Sequence, residues 1–118
     1  MATKTTTELA SAVLERLKVI GPDQSATADE AAFVTSIYSA KFEELEDEEL
    51  AYWTESAIPE KVFRPLVNIL AGECAIEFHA GAPNLVEMYA TFGERGMMKL
   101  RAIVSKPDSD EPVRAVYF

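Results

Sequence analysis

The chain has 118 residues, 48% of them hydrophobic and 26% charged, with a net charge of −9 at pH 7. That length suits one domain around one core, and that composition excludes a disordered chain. The acidic surplus argues against a general surface that wraps nucleic acid, because phosphate binding needs clustered Lys and Arg.

No apolar run is long enough to cross a bilayer. The opening stretch, MATKTTTELA, lacks the apolar core of a signal peptide, so a cytosolic origin is expected. The single cysteine, Cys74, cannot form an internal disulfide.

Taken in order, Thr5 with Glu8 has the spacing of a capping box. Leu9, Val13, Leu17 and Ile20 then fall on one face of a first helix. Gly21 suits the position just past its end, and Pro22 cannot continue it. Thr27 with Glu30 repeats the capping signal, and a second helix is predicted from Ala28 to Glu46. Its apolar side is Phe33 or Val34, Ile37, Tyr38, Lys41 with Phe42, and Leu45. Glu43, Glu44, Glu46, Asp47, Glu48 and Glu49 crowd its C-terminus, where anions oppose the macrodipole. This end is expected to fray unless a partner supplies positive charge.

Leu50 to Trp53 form an apolar connecting patch, with Trp53 expected to pack over the end of the bundle. The central element is a helix over 57–80, with Pro59 at its first position. Val62, Leu66, Ile69, Leu70, Cys74 and Phe78 make its stripe, and Phe63, Val67 and Ile76 add apolar groups beside it. So wide an apolar surface predicts burial by several neighbours. Pro65 predicts a kink, or a helix that starts near it. Pro83 opens a last helix, where Leu85, Met88, Tyr89, Phe92, Gly96, Leu100 and Ile103 keep helical spacing to about Val104. Gly93 and Gly96 each weaken it by roughly 1 kcal/mol relative to Ala, and mark close helix approach or a bend.

The stretch from Pro107 to Pro112 breaks helix, and Val113 to Phe118 is apolar and β-prone. The fold class is thus all-α, a bundle of about four helices. Residues 1–105 make the helical domain and residues 106–118 an extended C-terminal arm. With no hairpin partner of its own, the arm must cover its own core or pair with another chain.

Little in the sequence carries chemistry. His79 ends an apolar helix without an evident nucleophile nearby, so a role at the helix dipole is favoured over catalysis. Cys74 lies on the buried stripe and reads as a small hydrophobe, and its distance from His79 fits no zinc pattern. The run Glu43–Glu49 lacks the spaced ladder and glycine of a calcium loop and reads as a solvated face. Met88, Met97 and Met98 read as core or rim, and no phosphate-binding glycine loop is present. No catalytic residue, cofactor or metal ligand is predicted. This favours an interaction or assembly protein over a small enzyme.

Four stretches in order resemble the head-to-tail adaptor (head completion or connector) proteins of tailed bacteriophages and gene transfer agents. They are TELASAVLERLKVIG, SATADEAAFV, AYWTESAIPEKVFRPLVNILA and EPVRAVYF. The resemblance implies a structural virion protein at the head–tail interface. It would form a ring, typically of twelve copies, beneath the portal protein. The ring extends the DNA channel without binding DNA specifically and offers a platform to downstream tail or neck proteins. It also implies that the C-terminal arm reaches the portal, through Val113, Arg114, Val116, Tyr117 and Phe118. Tyr52 and Trp53 are a further candidate partner-binding patch. The competing reading is a non-viral helical interaction or regulatory domain that uses the Trp53 region as its anchor.

Overall fold

The computed structural model describes residues 3–105. Among these are four helices, α1 (Thr6–Arg16), α2 (Ala28–Asp47), α3 (Glu60–Phe78) and α4 (Pro83–Ser105). The expected all-α bundle is therefore the fold. The predicted arm at 106–118 lies outside the described residues.

Both capping boxes form. Thr5 Oγ1 accepts from the Glu8 N–H at 3.1 Å, and the Glu8 carboxylate accepts from the Thr5 N–H at 2.8 Å. Thr27 and Glu30 repeat this exchange at 3.1 Å in both directions. Each box satisfies two of the N–H groups that a helix start leaves free.

The two helix ends differ from expectation. Helix α1 stops at Arg16, one turn before Gly21, and no glycine has a positive φ. Lys18 takes the left-handed conformation instead, at φ 65°. Its N–H bonds the Glu15 carbonyl at 3.0 Å, and the Val19 N–H bonds that of Leu14 at 2.9 Å. This is a Schellman closure built on a lysine. Leu17 and Ile20 remain buried, although they lie beyond the helix. Helix α2 ends the same way. Glu49, at φ 62°, is its left-handed residue, and the Leu50 N–H reaches the Leu45 carbonyl at 2.8 Å. The acidic end does not fray before Asp47, and Arg101 of α4 supplies positive charge 3.3 Å from Glu48.

Helix α3 is the centre, packed by α1 and α2 on one side and along its length by α4. Val62, Leu66, Ile69, Leu70, Ala71, Cys74 and Ala75 are buried on it. They meet Leu9, Val13 and Leu14 of α1, Val34, Tyr38, Phe42 and Leu45 of α2, and Tyr89 and Leu100 of α4. Phe33 packs at the core edge, its ring edge-on to Phe78. Pro59 is the N-cap of α3, not its first residue, and the helix runs through Pro65 instead of starting there. Ile76, which the spacing placed beside the stripe, is 65% exposed.

One element had no sequence signal. Thr3–Lys4 (β1) pairs antiparallel with Ile58–Pro59 (β2), Thr3 opposite Pro59 and Lys4 opposite Ile58. This short ladder ties the start of α1 to the start of α3.

Helices α3 and α4 form an antiparallel hairpin with almost no gap between backbones. Gly72, Gly93 and Gly96 lie at the crossing. A Cβ on Gly96 would stand 2.7 Å from the Pro65 carbonyl oxygen, and one on Gly72 would stand 3.0 Å from that of Tyr89. Gly96 of α4 therefore serves close approach, one of the two expected uses. Near the start of α4 Leu85 and Met88 are partly exposed, and farther along Met98 is 68% exposed.

Candidate functional site

The segment between α2 and α3 is held by side chains of α2. Tyr38 donates its hydroxyl hydrogen to the Glu55 carbonyl at 2.7 Å and accepts from Trp53 Nε1 at 3.3 Å. Ser39 donates to the Glu55 carboxylate at 2.6 Å. Burial is the main reason that the Tyr38 phenol is pushed up to about 12; the Trp53 bond opposes the shift and the Glu55 charge adds to it. Phe42 and Trp53 meet edge to face at 5.9 Å, and Tyr52 lies edge-on to Trp53 at 5.3 Å.

The Tyr52 and Trp53 patch is therefore split. Trp53 is 8% exposed and belongs to the core, so it offers no groove to a partner. Tyr52 is 53% exposed, with Lys61 Nζ 5.7 Å from its ring centre.

His79 is the C-cap of α3. Its Nε2 lies 2.8 Å from the Leu17 carbonyl, so that nitrogen carries the hydrogen and donates it. Its ring stacks on Tyr89 at 5.7 Å and 8°. The Tyr89 hydroxyl donates to the Arg16 carbonyl at 2.9 Å. Two side chains from α3 and α4 thus satisfy carbonyls that the end of α1 leaves free. This histidine joins helices and touches no nucleophile. Cys74 is fully buried, and desolvation, helped by the Glu73 charge, raises its thiol to about 12. At neutral pH it is an unreactive thiol.

Among the described residues no three His, Cys, Asp or Glu side chains converge on a point that a metal ion could fill. No described helix is long and apolar enough to cross a membrane. The arm residues Val113, Arg114, Val116, Tyr117 and Phe118 lie outside the described residues.

The surface has two notable depressions. One, of about 420 Å3, lies between α1 and α3 and is lined by Ala12, Glu15, Arg16, Phe63, Arg64, Val67 and Asn68. Arg16 is fixed there: its Nε donates to Asn68 Oδ1 at 3.1 Å, and its guanidinium sits 4.6 Å from the Phe92 ring centre. The other, of about 520 Å3, lies where α3 turns into α4, between Ile76, Ala80, Pro83 and Val86. Sequence reasoning found neither, because each is assembled from side chains of two helices. The signal for the first was an Arg in the last turn of α1 and another on the flank of α3's apolar stripe.

No protein-family model, curated protein or solved structure matches the chain.

Proposed function

We propose that this is a structural assembly protein, a head-to-tail adaptor that forms a ring beneath a portal and carries the tail-side proteins. The observation that supports this reading is where the polar chemistry goes. Tyr38, Ser39, His79, Tyr89 and Arg16 hold one helix or loop to another. The uncovered features suit binding: exposed apolar side chains on α4 such as Met98, the α1–α3 groove and the acidic end of α2. On this reading the protein catalyses nothing and takes no cofactor. Its partners are the portal, further copies of itself and neck or tail proteins. Its acidic surface suits a passage that DNA traverses without binding. The portal contact is assigned to the arm, where Tyr117 and Phe118 are the aromatic anchors.

The test mixes the purified chain with a candidate portal protein and inspects the products by electron microscopy and size-exclusion chromatography. A ring stacked on the portal is expected. A chain truncated after Glu111 should keep its helical signal and fail to join the portal. Absence of any complex with the portal refutes the reading and leaves a helical interaction domain of another kind.

A further inference from the structure

The acidic end of α2 and the α1–α3 groove are opposite in charge. Glu43, Glu44, Glu46, Asp47, Glu48 and Glu49 are all exposed. Lys41 holds Glu44 at 3.4 Å and Arg101 holds Glu48 at 3.3 Å. Glu43, Glu46, Asp47 and Glu49 make no ion pair with a described residue. They sit at the negative end of a 20-residue helix, where anions oppose the macrodipole. Glu49 also carries the left-handed backbone there. A cationic surface placed against this end would relieve that repulsion.

The groove is such a surface. Arg16 is pre-set by Asn68 and Phe92, so little of its side-chain freedom is left to lose on binding. Arg64 is exposed and has no ion-pair partner among the described residues. Lys4 Nζ lies 5.6 Å from the ring centre of Phe63, which lines the groove. Glu15 is the one acid in the lining. The floor of Ala12, Phe63 and Val67 adds apolar area.

The two surfaces do not meet within one chain. No α2 residue lines the groove, and the acidic end is tied instead to α4 by Arg101. We infer that the α1–α3 groove of one copy receives the acidic C-terminal end of α2 from a second copy, with Arg64 and Arg16 facing Glu46, Asp47 and Glu49. A contact between unlike patches is heterologous, and repeated it builds a ring or a filament. This deepens the adaptor reading, since it names how copies of that protein meet.

The test is sedimentation velocity of the full chain in low salt and again at about 1 M, where the Debye length is only about 3 Å. The chain should associate in low salt and dissociate in high salt. Arg64→Glu should weaken association by about tenfold or more, as should Glu46→Lys with Glu49→Lys. All these positions are exposed, and circular dichroism melts would verify folding. Mixing the two variants should restore association, because each supplies the charge the other now needs. A chain that stays monomeric in low salt, or association indifferent to the reversals, or mixing that restores nothing, overturns the contact. Portal capture is scored separately on the same variants. Rings on the portal that ignore the reversals remove this contact and leave the adaptor standing. Reversal-sensitive association without portal capture does the opposite.

Discussion

Gly96→Ala sets two physical effects against each other. Helix propensity favours alanine by about 1 kcal/mol in a helix interior. Tertiary packing opposes it. The new methyl group would stand 2.7 Å from the Pro65 carbonyl oxygen, 3.1 Å from Ile69 Cγ1 and 3.3 Å from Asn68 Cβ. The nearest of these is helix backbone and cannot rotate away, so α3 and α4 must separate along part of their length. Overpacking of this kind costs about 1–3 kcal/mol, and separation also forfeits dispersion contacts beside the crossing. The steric term wins, for a net loss of about 1–2 kcal/mol. In a domain of this size that lowers Tm by about 4–8 °C. Gly93→Ala is the internal control. Its Cβ would meet nothing closer than 3.4 Å, so propensity decides and stability stays level or rises by up to about 1 kcal/mol. Gly81→Ala, with nothing within 4 Å, should be neutral or slightly stabilising. Thermal melts at 222 nm with urea titrations measure all three, and an unchanged urea slope shows that the compared states are alike. A Gly96→Ala protein as stable as the parent would refute the close crossing, and propensity alone would then govern α4.

The left-handed helix closures make Lys18→Gly and Glu49→Gly stabilising by about 0.5–1 kcal/mol each, since glycine adopts that conformation without a Cβ penalty; urea midpoints measure this. Stability should fall at alkaline pH. The Cys74 thiol rises from 9.0 to about 12 and the Tyr38 phenol from 10.0 to about 12. Below pH 9 both states hold these protons. Above pH 9 for Cys74 and above pH 10 for Tyr38 the unfolded chain releases the proton first, so each group then removes about 1.4 kcal/mol per pH unit until its folded value is reached. Tyr38→Phe should cost about 1–2 kcal/mol at neutral pH, by orphaning the Trp53 N–H and the Glu55 carbonyl, and should flatten the decline above pH 10. His79→Ala should cost about 1 kcal/mol through the lost bond to Leu17, and His79→Gln should recover part of it; on the proposed adaptor function, neither change should reduce portal capture by folded protein.

What the sequence determined by itself was local. Thr5 with Glu8 and Thr27 with Glu30 announced two helix starts because a capping box closes within four residues. The stripe from Val62 to Cys74 announced the central helix because a 3.6-residue period is a property of one segment. The acidic run at Glu43–Glu49 was legible as an exposed face for the same reason. The tertiary structure decided whatever needed a second segment. It buried Trp53 under Phe42 and Tyr38, which removed half of a candidate surface. It ended α1 at Arg16 and closed it on a left-handed Lys18, not on Gly21, with Leu17 and Ile20 buried beyond the helix. Likewise it gave His79 a carbonyl 62 residues away. It also made Gly96 a contact point by setting α4 against Pro65, and joined Arg16 to Arg64 in one groove. Helical period and capping are short-range and survive in the one-dimensional string. Burial, crossing distance and charge apposition depend on pairs of helices, and only the packed chain brings those pairs together.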